Sequence, residues 1–356
     1  MSHLTPFPIT PIGNLIGVVL ALLPLASNIR KFSLGVWGYA IWNALYCLQT
    51  CVNTIIWRHN LNVIAPVWCD IVTKIQVGSG VGLRACSFVM CVRLNRVVRQ
   101  RAHSDFSRWT LLFEAFFVIG YPLIIMALQV IIQPVRFAIF EELGCIFQVY
   151  SYLSYLIYIG PYIVPSLCSV FLALRITRTL MRHHKEMNEI WSNHQDDHVT
   201  QNRYHRIILI ACLDPFIGLA HVLATLASNS LQKTNNDLNH PYISWKFVHD
   251  GLGENLSGLS LSSVLQFPES YWGSWVTLTF FVKWDEWIYV FHTVIFFGVF
   301  GTTPEMRRNY RSVLWLLAEH LGYKRQRVSE TETTSKILFK SGPGEVVGCR
   351  AGAKKK

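Results

Sequence analysis

Residues 60 to 88 read NLNVIAPVWCDIVTKIQVGSGVGLRACSF, an apolar run that nevertheless carries Asp70, Lys74 and Arg84. An ionised side chain at the centre of a bilayer costs about 2.5 to 3.5 kcal/mol on insertion scales, so charges placed there face a bundle interior or water. At about 100° per residue, Asp70, Lys74, Val77, Val81 and Arg84 fall within about 40° of one line along a helix. The charges share a stripe. Asp70 precedes Lys74 by four residues, the better order for an ion pair within one helix. Gly78, Gly80 and Gly82 flank the stripe and allow neighbouring helices to come close. The segment reads as a central membrane helix. Arg84 has two readings, one in the stripe and one in which its long side chain reaches the membrane surface, because Met90 lies only about 9 Å further along a helix.

Composition extends this reading to the whole chain. With 51% hydrophobic and only 15% charged residues among 356, there are too few charges for an ordinary soluble protein of this size. A span needs about 20 predominantly apolar residues, and seven stretches qualify: 7–27, 34–57, 66–90, 109–132, 152–174, 207–227 and 275–301. The connecting segments 27–33, 93–108, 175–206 and 302–356 hold 25 of the 32 Lys and Arg, whereas 58–65, 133–151 and 229–274 hold four. The positive-inside rule then puts the N-terminus outside and residues 302–356 in the cytoplasm as a tail. The first basic residue, Arg30, follows the first span rather than preceding it, so that span reads as a signal-anchor and not a cleaved leader. The expected fold is an all-α integral membrane protein, a seven-transmembrane helix bundle. The net charge of +11 sits beside spans and in the tail, where anionic lipids attract it. Membrane lipids are therefore the expected partner of that charge, and nucleic acid is not.

Further polar groups fall inside the spans. Asp285, Tyr289 and His292 share one face of the seventh, and Lys283, Glu286 and Trp287 share another. In the sixth, Asp214 and His221 lie seven apart, and Pro215 should kink the helix beside them. Their number argues for a polar-lined cavity. Asp70, Lys74, Lys283, Asp285 and Glu286 lie in the outer halves of their spans and are candidate ligand contacts, while Arg93, Arg96, Arg203 and Arg206 lie at inner ends. Cys69 and Cys145 fall near the outer face, where disulfides persist, and a bridge and two free thiols are both open. Asn255-Leu256-Ser257 is the only N-x-S/T sequon and also falls outside, making Asn255 a candidate glycosylation site. HExxH and GxSxG are absent from the sequence, so two common hydrolase signatures are excluded, and no metal or cofactor is expected. A membrane transporter would also need a polar midplane cavity, commonly with internal repeats, and the two halves of this chain show none.

Several stretches, taken in order, resemble the fungal lipopeptide mating-pheromone receptors of the a-factor-receptor type, the class D G-protein-coupled receptors. They are Asn53-Thr54-Ile55-Ile56-Trp57, the run NLNVIAPVWCDIVTKIQVGSGVGLRA, Arg93-Leu94, Arg203-Tyr204 with Arg206, Ile243-Ser244-Trp245, and FFGVFGTTPEMRRNYR at 296–311. The resemblance spans about residues 10 to 311. Arg84 stands where that family usually has Pro, and Ser27-Asn28 and Phe32-Ser33 replace its usual Trp-His and Arg-Asn. The DRY and NPxxY motifs of the large animal receptor class are missing, with CVRLNR and FGTTPEMRRNY at the corresponding places. The resemblance implies a plasma-membrane receptor, not an enzyme, that binds a peptide pheromone carrying a farnesylated C-terminal cysteine and activates a heterotrimeric G protein to start a mating response. It also implies a ligand-facing role for Trp245 and a coupling role for Arg93, Arg96, Arg203 and Arg206.

Overall fold

A computed structural model describes residues 7–26, 33–99, 108–182, 215–220, 223, 240–252, 258–274, 276–302, 306–308 and 310. Helix α1 (Ile9–Leu22) runs on as a tight 3-10 turn to Ala26. Helix α2 (Leu34–Ile56) starts where the Ser33 hydroxyl accepts from the Gly35 N–H at 3.1 Å, a side-chain cap for an otherwise orphaned donor. Helix α3 (Pro66–Arg99) is 34 residues long. Helices α4 (Arg108–Ala115) and α5 (Tyr121–Leu128) are joined end to end by a π-turn at Phe116–Gly120. Another π-turn, Tyr155–Ile159, leads into α6 (Gly160–Arg182). Residues 215–220 are helical, and Asp214 and His221 on either side lie outside the described residues, as does any bend before Pro215.

The helices are arranged inside out compared with a soluble bundle. Helix α1 exposes Ile9, Ile12, Leu15, Ile16 and Val19 and buries Thr10, Asn14 and Gly17. Helix α2 buries Asn43, Gln49, Thr50, Asn53 and Thr54. In water the apolar stripe faces the core; in hydrocarbon the polar groups must turn inward to find partners. Pro66–Arg96, Arg108–Ile132 and Tyr155–Thr179 are each long and apolar enough to cross a membrane. Helix α2 is 23 residues long but interleaves amides and hydroxyls among its apolar residues.

Helix α3 is the centre of the bundle, packed against α2, α5 and α6. Gly82 shows why its glycines are needed: a Cβ there would lie 2.6 Å from Trp42 Nε1, whose N–H donates to the Val118 carbonyl at 3.0 Å.

The expectation of an all-α chain is corrected at one end of the bundle. Strand β1 (Phe137–Phe140) pairs antiparallel with β2 (Gly144–Ile146) and parallel with β3 (Val264–Phe267). The sheet order is β2-β1-β3, with Ile139 opposite Cys145 and Phe140 opposite Phe267. The run Phe-Ala-Ile-Phe suits a pleated surface. The turn after it uses Glu142 at φ 70° and Gly144 at φ 83°, the left-handed region that tight turns demand. Phe137, Ile139 and Cys145 pack on Trp57 and Cys69, so the strands form a plug over α2 and α3. Three further helices follow among the described residues: the short α7 (Trp245–His249) and α8 (Glu269–Trp272), and the 25-residue α9 (Val276–Phe300), which carries Lys283, Asp285 and Glu286.

Candidate functional site

The polar stripe of α3 is engaged by the segment leading into β1. Arg136 Nε donates to Asp70 Oδ1 at 2.9 Å and Nη2 to Oδ2 at 2.5 Å. Those hydrogen bonds raise the pKa of Arg136 above its ordinary value, since they favour the charged form. Lys74 Nζ donates to Gln133 Oε1 at 2.9 Å, and Gln133 Nε2 donates in turn to the Arg136 carbonyl. The expected pair of Asp70 with Lys74 therefore gives way to two contacts across to residues 133–136. A planar guanidinium meets both carboxylate oxygens at once, which an ammonium one turn away cannot do. Cys69 and Cys145 stand beside this contact as a disulfide with Cα atoms 5.3 Å apart, a spacing that a bridge spans without backbone movement.

Arg84 does not reach the membrane surface. It is 2% exposed, its Nη2 donates to Tyr162 Oη at 3.3 Å, and its Cζ lies 5.2 Å from the Tyr162 ring centroid. A Cβ on Gly218 would collide with its guanidinium, so the helical stretch 215–220 comes against Arg84 at a glycine.

Helix α9 uses both of the faces read from its sequence, each against a different helix. On one, Lys283 Nζ reaches Glu286 Oε1 at 2.9 Å and Glu142 Oε2 at 3.5 Å. Glu286 is 2% exposed and accepts from Thr10 Oγ1 at 3.4 Å, and Trp287 packs on Gly13. Glu142, at the β1–β2 turn, and Thr10 were not legible as partners, because their neighbours come from 141 and 276 residues away. On the other face, Tyr289 stacks on Tyr46 with ring centroids 3.4 Å apart, and His292 Nδ1 lies 3.0 Å from Tyr39 Oη. Asp285 stands one turn before Tyr289 on this face and is exposed. Trp245 stacks on His249 at 3.8 Å, and the His249 ring nitrogens lie 2.9 Å from the carbonyl oxygens of Trp245 and Val130. Among the described residues no three His, Cys, Asp or Glu converge as a metal site.

At the opposite end of α3, Arg93 Nη1 contacts Glu114 Oε1 at 3.1 Å, and the other oxygen of Glu114 accepts from the Leu34 N–H at 3.1 Å. One carboxylate thus neutralises Arg93 and caps the start of α2, where a negative charge is favoured. Sequence reasoning missed Glu114, an acid inside an apolar run whose signal was its placement one span away from a basic cluster. Arg96 Nη1 lies 3.3 Å from Thr110 Oγ1 and is exposed. Arg203, Arg206 and Asn255 lie outside the described residues.

The sequence pattern of the family described as Pheromone A receptor matches residues 9–321. The chain is 27% identical over 347 residues to the Pheromone B alpha 3 receptor of Schizophyllum commune, covering 95% of this chain and 51% of that protein. It is 24% identical over 315 residues to Pheromone receptor 1 of Mycosarcoma maydis, covering 87% of this chain and 83% of that protein. It is 25% identical over 226 residues to the Pheromone M-factor receptor of Schizosaccharomyces pombe, covering 61% of this chain and 60% of that one. The chain spans about half the length of the Schizophyllum relatives it matches. With a matched region running through every described helix from α1 to α9, and a bundle whose polar residues point inward, the chain belongs to the pheromone A receptor family, a class of membrane receptors and not of enzymes.

Proposed function

We propose that this chain is a seven-span receptor of the plasma membrane that binds a farnesylated peptide pheromone and activates a heterotrimeric G protein. The match of the Pheromone A receptor pattern over residues 9–321 carries the reading. In this assignment α1, α2, α3, α4 with α5, α6, a sixth span that contains 215–220, and α9 cross the membrane. The sheet end lies outside and residues 302–356 form a cytoplasmic tail. The distribution of Lys and Arg supports that orientation.

A farnesyl chain already dissolved in lipid gains little by entering a protein pocket, since lipid tails are as apolar as Leu. The lipid anchor raises local concentration, and discrimination falls to the peptide part. The groups that would read it are those of the outer end, Asp70, Lys74, Asp285 and Trp245, with Lys283 and the buried Glu286 supporting them through their ion pair. Arg93, Arg96, Arg203 and Arg206 serve the G-protein side, the Cys69–Cys145 bridge holds the outer end together, and Asn255 carries a glycan there. Nucleotide exchange on a purified G protein, driven by synthetic farnesylated peptides, tests the reading. Peptide-dependent exchange supports it; peptide uptake without exchange would make the chain a transporter. An epitope at the C-terminus should be stained only after permeabilisation, and staining of intact cells overturns the orientation.

A further inference from the structure

We propose that His249 is a positioning residue for Trp245 and acts as an imidazolium, so that the indole is held in place in acid and released as the pH rises. The inference rests on the receptor reading above, in which Trp245 faces the peptide, and adds a proton to what the outer end responds to.

Both ring nitrogens of His249 face atoms that have no hydrogen to give. Nδ1 lies 2.9 Å from the Trp245 carbonyl oxygen, one helical turn back, and Nε2 lies 2.9 Å from the carbonyl oxygen of Val130, 119 residues away in sequence. A carbonyl oxygen only accepts, whereas a neutral imidazole has one N–H and one lone pair. In either neutral tautomer one nitrogen therefore turns a lone pair onto an acceptor at hydrogen-bond distance. Only the doubly protonated ring donates to both. The residue is 2% exposed, and a buried cation is costly unless it is hydrogen-bonded. Here both N–H groups are used, and the Trp245 indole lies on the ring with centroids 3.8 Å apart and an interplanar angle of 14°. Of the aromatic faces, an indole attracts a cation best.

Among the described residues, the elements packed around this ring bring no charged side chain that could take its place. The turn Gln129–Ile132 holds none, and neither does the stretch 258–263, whose Leu261 N–H donates to the His249 carbonyl at 3.1 Å. Tyr150 and Tyr242 pack with the neighbouring Val248, and His240 stacks on Tyr150 at 4.9 Å, so His240 is the other group of this layer that gains charge in acid. On the helix and at its end, Lys246 and Asp250 are exposed.

The two hydrogen bonds do different things. The one to Val130 ties α7 to the turn that follows α5. The one to Trp245, with the stacked rings, fixes the indole, which is 48% exposed and so offers a peptide the surface that the imidazole does not cover. Loss of the proton removes one of the two, and either loss lets the indole move. The docked loop holds one more proton than the released loop, so acid favours docking and a rising pH opposes it. By linkage, a peptide that needs the docked loop is bound more tightly in acid.

Two measurements test this, each at about pH 5.5 and about pH 7.5, on either side of the range where histidine changes charge. The first needs no ligand: hydrogen exchange of the amides of residues 245–250 is followed in purified full-length receptor in nanodiscs, each rate divided by the intrinsic rate at that pH. Wild type should be better protected at the acid value. His249→Gln, which offers a donor but no charge, should show weaker protection that is the same at both. Equal protection of the wild type at the two values overturns the proposal, without recourse to any variant. So does a difference that persists in His249→Gln, which would belong to His240. The second measures binding of a histidine-free farnesylated peptide. Wild type should reach half-maximal binding at about fivefold lower concentration in acid, a modest coupling between two linked sites. His249→Gln and Trp245→Ala should each bind more weakly and lose the pH dependence. A pH dependence that survives either substitution overturns the positioning role. Acid-dependent protection without binding of any peptide would leave the imidazolium standing and remove the receptor reading beneath it.

Discussion

At the sheet end, α3 is joined to residues 133–146 by a disulfide, by the packing of β1 and β2 over it and by the two-pronged contact of Asp70 with Arg136. At the other end the same helix is joined to α2 and α4 through the Glu114 carboxylate. The first kind of join combines a covalent bond with apolar packing and an ion pair. The second adds one acid–base pair to apolar packing in which Val36 and Val118 share a buried cluster with Val89 and Met90 of α3. A receptor needs both: a preorganised surface where a flexible peptide is read, and a bistable contact where helices move apart. Among the described residues the covalent join is found at one end only, and what that difference means for recognition can be tested by experiment.

The largest effect belongs to the disulfide. Cys69 and Cys145 are 76 residues apart in sequence, and closing a loop of that length restricts the unfolded chain by about 4 kcal/mol in the entropy account. Cys69→Ser and Cys145→Ser should each lower the unfolding midpoint of the solubilised receptor sharply, and the double variant should be no worse than either single. Additive losses would show that the two sulfurs are not partners, since one bond can be lost only once.

Next comes Glu114→Gln. Removing one partner of a buried pair costs about 3 to 5 kcal/mol; with the Arg93 side chain 20% exposed, about 2 kcal/mol is expected here. The expected sign of the coupling is the informative part. Arg93→Gln added to Glu114→Gln should restore some of the loss, because no unpaired guanidinium is then left behind. If the weak end is the moving end, Glu114→Gln should also raise peptide-independent nucleotide exchange per surface receptor. Unchanged basal exchange with lowered stability would make this end as rigid as the other.

How far each end was legible in sequence follows the same division. The helices were readable because an apolar run of about 20 residues is local information: α2 and α9 begin and end within a residue or two of the expected 34–57 and 275–301, whereas α3 runs on to Arg99 and α6 to Arg182, beyond the expected ends at 90 and 174, because a helix does not stop where its apolar run does. The stripe on α3 was readable from angular spacing. The strands were not, because a four-residue run such as Phe137–Phe140 looks like any apolar piece of loop until β2 and β3 arrive beside it. Charge partners were misjudged for a related reason. The helical rule could only propose Lys74 for Asp70, whereas the contact made is with Arg136, 66 residues on. Glu114 went unnoticed because its two partners, Arg93 and the Leu34 N–H, are 21 and 80 residues away.

Midway between the ends, Gly82→Ala should cost about 1 kcal/mol. The new methyl group meets the Trp42 indole at 2.6 Å, and overpacking of a filled contact costs about 1 to 3 kcal/mol, partly offset by the better helix propensity of Ala. Trp42→Phe shortens the ring at that contact and should recover stability in the Gly82→Ala background while lowering it in the wild type. Both variants lowering stability independently would mean that α2 and α3 separate to admit the methyl group.

The smallest effect on stability is expected at Asp70 and Arg136, although theirs is the most visible ion pair at the sheet end. Both side chains are about two-fifths exposed, and pairs in contact with water return little, because solvent screens the attraction and two long side chains lose freedom in making it. Asp70→Asn should therefore leave the melting temperature nearly unchanged, and what little it changes should shrink further at high salt. The pair sits over the N-terminal turns of α3, beside the disulfide that already holds this segment, so its loss frees Arg136 without freeing the strand behind it. The effect to look for is on recognition: Asp70→Asn leaves a cation at the sheet end of the bundle, which should shift the dose-response to cationic peptides toward higher concentration and that to acidic ones toward lower. Exchanging the charges, Asp70→Arg with Arg136→Asp, should return both curves to the wild-type position if the pair acts only by neutralising itself. If the exchanged receptor keeps the shifted response at normal surface amount, one of the two side chains touches the peptide directly, and the sheet end is itself part of the contact surface.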